Sequence, residues 1–279
     1  MFFGFGITFF VVNMGRQVGK THFLGTGNDT VGIVELKGLI SDAEPVLDQL
    51  LQFRLSKSVK AVVVRIDSPG GAVGASQEIF SELVRLNKVK PVVASMGSVA
   101  ASGGFYAAIG AGKIVASPGT LTGSMGVIFK FPNLEEIFQK IGYRDEVIKS
   151  GKLKDIGSPS RPLTDEEREL LQGLLDEVHD QFISDIAQSR NLPEEDVRKV
   201  ADGRIFSGET AKNLGLIDQL GNFNDAVSLA ANLAGMDTET PTLVYPEGDG
   251  LSFLKMLAEQ NASSLFRAIV SRNPILSFE

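Results

Sequence analysis

The chain reads as an α/β protein built on a mainly parallel sheet. Short β-branched runs recur, among them VGIVELKG (31–38), KAVVVRIDS (60–68) and KPVVASMG (90–97). Between them lie amphipathic stretches of helical period, and Gly or Pro punctuates the joints. Strands that alternate with helices pair in parallel, because each crossover carries the chain back to the same end of the sheet. With 279 residues, 43% of them hydrophobic, there is enough apolar surface for a substantial core in one large or two small domains.

Taken in order, strand 31–38 leads to a helix in AEPVLDQLLQFRLS (43–56), strand 60–68 to a helix in GASQEIFSELVRLNK (74–88), and strand 90–97 to a small-residue helix in AASGGFYAAIGA (100–111). Next come a strand in KIVASPG (113–119), a loop in TLTGSMG (120–126), a helix in NLEEIFQKIG (133–142) and a strand in RDEVIKSG (144–151). A long amphipathic helix spans 162–191, with Thr164 and Glu167 in the spacing of a capping box. A helical segment at 192–202, a turn-rich stretch at 203–222 and a helix at 223–236 follow. Past Thr238 the chain is broken by Pro and Gly around one short amphipathic piece.

Charge and composition exclude several functions. A net charge of −7 without basic runs gives no attraction to phosphate backbones, so nucleic acid is not an expected partner. The absence of cysteine removes thiol nucleophiles, disulfides and thiolate metal sites, and two distant histidines, His22 and His179, do not make a zinc cage. The opening MFFGFGITFFVVNM (1–14) is the most apolar window and reads as an export signal or membrane anchor, with a polar linker at 15–30. It is short for a spanning helix, and Arg16 and Lys20 follow it instead of preceding it; a buried strand is the alternative reading. GRQVGKT resembles a phosphate-binding loop but has three residues between Gly15 and Gly19 where four are needed.

The stretch SMGSVAASGGFYAA offers three serines, Ser95, Ser98 and Ser102. None sits in a G-x-S-x-G elbow. His179 lies mid-helix between carboxylates, where a solvated or half-buried role suits it better than a triad. A serine nucleophile here would need another base. Lysine serves when desolvation makes its amine neutral, and Lys149, Lys152 and Lys154 in KSGKLKDIGSPSR are the candidates, among which spacing alone does not choose. The glycine pair of DSPGGAV, closing a strand, suits either a tight turn or backbone amides aimed at an oxyanion.

In combination, RIDSPGG, SMGSVAASGGFYAA, LTGSMGV and SGKLKDIGSPSRPLTDEE, continued by GRIFSGETAKNLGLIDQLG, resemble the signal peptide peptidase A family over about residues 31–235. That resemblance implies a Clp/crotonase-like fold of repeated β-β-α and βαβ units with a helical extension. It implies a Ser-Lys dyad of Ser102 as nucleophile and Lys154 as general base, an oxyanion hole from the amides of Gly71 and Gly103, and Ser124 holding the lysine amine. Phe105 replaces the first of two tyrosines common in the family; Tyr106 is the second. Also implied are peptide substrates such as cleaved signal peptides, no metal or organic cofactor, and a ring-like homo-oligomer in which one subunit or two complete the dyad. The expected organisation is an anchor at 1–14, a linker at 15–30, a protease domain at 31–235 outside the cytoplasm, and a C-terminal extension at 236–279. An acyl-CoA enzyme of the crotonase type and a non-catalytic membrane scaffold are the alternatives.

Overall fold

The computed structural model describes residues 30–237 and 240–246. The expected anchor, the expected linker up to residue 29 and most of the C-terminal extension lie outside the described residues, while Thr30, expected as the last linker residue, opens the first strand. Among the described residues, eight strands form one sheet: β1 (Thr30–Ile40), β2 (Val59–Gly71), β3 (Val92–Ala101), β4 (Lys113–Ala116), β5 (Leu121–Gly123), β6 (Ile205–Ser207), β7 (Gln219–Leu220) and β8 (Thr242–Val244). The principal order is β6-β5-β3-β2-β1-β8, with β4 also pairing β3 and β7 alongside β4. Every pair is parallel except β5 with β6. The expected mainly parallel α/β fold is what the chain adopts.

The helices among these residues are α1 (Glu44–Leu55), α2 (Val73–Asn87), α3 (Gly103–Ala108), α4 (Glu135–Lys140), α5 (Asp165–Arg190), α6 (Glu194–Arg198), α7 (Gly208–Asn213) and α8 (Phe223–Leu233). β2 shows why the central strands read as continuous apolar runs. Ala61, Val62, Val63 and Val64 are all fully buried, because a parallel strand with helices on both faces has no solvated side. Side chains alternate between two cores. Val31, Ile33, Ala61, Val63, Val93 and Val115 meet Ala226 and Ala230 of α8. Val34, Leu36, Val62, Val64 and Ile66 face the opposite way, into a larger core with α1, α2, α3 and α5.

α5 starts where the sequence marks it. The Thr164 hydroxyl accepts from the Glu167 amide at 3.2 Å, and the Glu167 carboxylate accepts from the Thr164 amide at 2.9 Å. Only its C-terminal half joins the core through Phe182, Ile183, Ile186 and Ala187; Leu170 and Leu174 are exposed.

Two expected elements differ. The loop expected at 120–126 contains β5, three residues that have strand form because β3 runs on to Ala101 and pairs with them. The strand expected at 144–151 is irregular: its alternating pattern has no strand beside it, and Val147 and Ile148 stand in solvent. It belongs to an arm, residues 127–163, whose Ile128, Phe129, Phe131, Ile137, Ile141 and Tyr143 are also exposed. At the other end, β8 pairs with β1, so the sheet reaches residue 244.

Candidate active site

β2 and β3 end side by side, and their ends bring the glycine pair to the serine. Of the three serines, Ser95 is buried and accepts from Arg65 at 2.9 Å, while Ser98 is exposed on β3. Ser102 caps α3 with φ 52° and ψ −123°, a conformation that costs a non-glycine residue on the order of 1–3 kcal/mol. It is held there from both sides. Its amide donates to the Gly123 carbonyl at 2.8 Å, and its carbonyl accepts from the Tyr106 amide at 2.8 Å. The result is a sharp strand-to-helix turn with the hydroxyl at its apex, made without the G-x-S-x-G pattern.

Gly71 and Gly103 flank this turn. A Cβ added to Gly103 would lie 2.3 Å from Ser76 Oγ and 3.2 Å from the Gly71 amide nitrogen; one added to Gly71 would lie 2.0 Å from the Ile40 carbonyl oxygen. The close packing that demands glycine thus sets the two amides next to each other. Gly103 is the first residue of α3, whose N–H has no intrahelical acceptor and is free to point at a ligand. Ser124, also at positive φ (52°), follows Gly123, the residue paired with Ala101, which puts it just past the end of β5 as Ser102 is just past the end of β3. Its amide donates to the Arg204 carbonyl at 2.7 Å.

Beside Ser102 opens a pocket of about 110 Å³, lined by Gly71, Gly103, Ser76, Tyr106 and the apolar Val73, Val127, Ile128, Val178 and Phe182. The Tyr106 ring stacks on Phe182 at 4.4 Å and meets Phe80 edge-on at 5.3 Å. Burial, and then the hydrogen bond to Asp185, push the Tyr106 hydroxyl above its ordinary range, so it stays protonated.

The structure does not bring Lys154 into this pocket: the residue is exposed on the arm. Its neighbours form an ion-pair cluster. Lys149 pairs with Asp155, and Lys152 with Glu166. Arg161 bridges Asp155 (2.9 Å) and the buried Glu167 (2.5 and 2.8 Å). The Arg161 guanidinium and the Thr164 amide hold the Glu167 carboxyl down at about 2, and Arg161 and Lys149 draw Asp155 below its ordinary range. Among the three candidate lysines, Lys154 is the one without a carboxylate partner. His179 is half-buried on α5 and does not line the pocket, in keeping with its non-catalytic reading.

Sequence reasoning missed the far wall of the pocket. Val178, Phe182 and Asp185 lie at i, i+4 and i+7 on α5, a spacing that puts them on one face, but nothing local says that this face meets the serine's helix.

The mostly parallel α/β sheet, with a strained serine between strand and helix, is that of a Clp/crotonase-like fold. Family comparisons agree. The Clp protease family matches residues 32–120, and peptidase family S49 matches residues 84–237. The chain is 47% identical over 207 residues to the protease-named slr0021 protein of Synechocystis sp., covering 74% of this chain and 75% of that one. It is 38% identical to the chloroplastic serine protease SPPA of Arabidopsis thaliana and 38% identical to Protease 4 of Salmonella typhi, covering 75% and 74% of this chain. The matched region spans only 33% and 35% of those two longer relatives. The chain belongs to peptidase family S49, the signal peptide peptidase A type of protease.

Proposed function

We propose that the chain is a serine endopeptidase in which Ser102 and Lys154 form the catalytic dyad. The observation that carries this reading is the Ser102 turn with the Gly71 and Gly103 amides packed beside it. Neutral Lys154 takes the Oγ proton as Ser102 attacks a peptide carbonyl, and the two amides hold the oxyanion. Collapse of the tetrahedral intermediate expels the amine, which receives the proton from Lys154. Water, deprotonated by Lys154, then hydrolyses the acyl-enzyme. Ser124 orients the lysine amine.

The choice of Lys154 over its neighbours has a physical basis. A general base must lose its proton, which a carboxylate partner opposes, and Lys149 and Lys152 each have one. Because Lys154 lies outside the Ser102 pocket of its own chain, a neighbouring copy in a closed homo-oligomer delivers it. Such an assembly would cover the apolar residues of the arm and Leu170 and Leu174 of α5. It would also take the lysine out of water.

Substrates are peptides with uncharged side chains for the pocket, cleaved signal peptides and other hydrophobic segments among them. Residues 1–14 attach the protein to a membrane with the protease domain outside the cytoplasm; among the described residues no helix is long and apolar enough to cross one.

The test is complementation. Full-length Ser102→Ala and Lys154→Ala proteins should each be inactive, and mixing them under subunit exchange should restore peptide hydrolysis, with a fluorophosphonate adduct on Ser102 located by mass spectrometry. Wild-type turnover in either variant refutes the dyad. Inactive singles that never complement, in a protein that remains monomeric by light scattering, refute the shared site.

A further inference from the structure

Tyr106 holds its place beside the nucleophile by an unusual tie. Its ring, 4% exposed, is stacked on Phe182 and forms one wall of the pocket. Its amide donates to the Ser102 carbonyl. Its hydroxyl donates to the Asp185 carboxylate of α5 and accepts from the Gln77 amide at 3.4 Å; Gln77 is itself bonded to Gln181 Oε1 at 3.0 Å. One face of α5 therefore supplies both kinds of contact: Val178 and Phe182 line the pocket, and Asp185 fixes the tyrosine that closes it. A phenylalanine at 106 would fill the same volume. The hydroxyl and its carboxylate partner add direction, since a hydrogen bond to a charged acceptor pins a ring that stacking alone would let slide.

We infer that Asp185 is a positioning residue which, through Tyr106, keeps the pocket beside Ser102 narrow and so decides the size of side chain accepted next to the scissile bond. The inference rests on Ser102 being the nucleophile. At about 110 Å³ the pocket is smaller than the ~150 Å³ cavity that takes a benzene ring, so a branched aliphatic side chain fits it better than a phenyl group. With the tie cut, Tyr106 is free to shift along Phe182, and the discrimination weakens.

Peptides identical except for Ala, Leu or Phe before the scissile bond test this in the full-length protein. In wild type the Leu peptide should exceed the Phe peptide in kcat/KM; Asp185→Asn and Tyr106→Phe should each reduce that ratio roughly tenfold, the scale on which pockets discriminate by size. The double variant should show no further change, and Asp185→Glu should restore part of the ratio. Fluorophosphonate labelling of Ser102 should persist throughout. A uniform loss on all three peptides with an unchanged ratio overturns the inference, as do additive effects in the double variant. If Asp185→Asn fails to fold, the isosteric Tyr106→Phe decides alone. Loss of the Ser102 assignment would show separately, as hydrolysis persisting in Ser102→Ala.

Discussion

Gly71→Ala tests the oxyanion site by geometry. The added Cβ would stand 2.0 Å from the Ile40 carbonyl oxygen, 2.6 Å from its carbon and 2.7 Å from the Ile40 nitrogen. Ordinary contact begins near 3.4 Å, so the ends of β1 and β2 must part by about 1.4 Å (3.4 minus 2.0). No flexible side chain can absorb this, since all three atoms are backbone. Overpacking of this kind costs about 1–3 kcal/mol, or roughly 2–12 °C in Tm at ~2–4 °C per kcal/mol for a chain of this size. The catalytic effect should be larger in proportion. Displacing one oxyanion donor by more than 1 Å should lower kcat by about 10²–10³, with KM little changed. Gly74, in the first turn of α2, has nothing within 4 Å of its added Cβ, so Gly74→Ala is the control and should hold or slightly raise stability. A fluorogenic peptide assay beside thermal melts measures both. A folded Gly71→Ala enzyme within threefold of wild-type kcat would refute the placement of that amide at the reacting carbonyl.

Lys154→Ala should lose about 10²–10⁴ in kcat, as for other general bases, and Lys154→Arg should not recover it because the guanidinium stays charged; Lys152→Ala, removing an exposed ion pair, should stay near wild type in the same assay. Glu167 has its carboxyl lowered from 4.5 to about 2, so its contribution to stability is fully present above about 4.5 and is lost as the pH falls toward 2. Urea melts across that window should show the loss in wild type and a shallower slope in Glu167→Gln. Phe182→Ala removes a side chain 3% exposed and stacked on Tyr106, and should cost about 3–5 kcal/mol in denaturant unfolding.

Much of the architecture was legible because it depends on local signals. The buried β-branched runs of β1, β2 and β3 can only be strands covered on both faces, and Thr164 with Glu167 announces the start of α5 within the first turn. Where strand form comes from a partner, the reading failed. Leu121–Gly123 is a strand because β3 extends to meet it, and RDEVIKSG is not one because no strand pairs with it.

The site divides the same way. Residue types and their order single out the Ser102 stretch, the glycine pair and three lysines, since a chain with no cysteine and two histidines has few other routes to acyl transfer. Only the tertiary structure strains Ser102 into its turn, packs Gly71 against Ile40 and Gly103 against Ser76, and joins Asp185 to Tyr106 across 79 positions of sequence. It also separates the lysines by their partners, pairing Lys149 and Lys152 with carboxylates and leaving Lys154 without one. These are contacts between elements far apart in the chain. Propensity and periodicity act over a turn or a strand, whereas the pocket beside Ser102 is set by how the ends of β2 and β3 meet one face of α5.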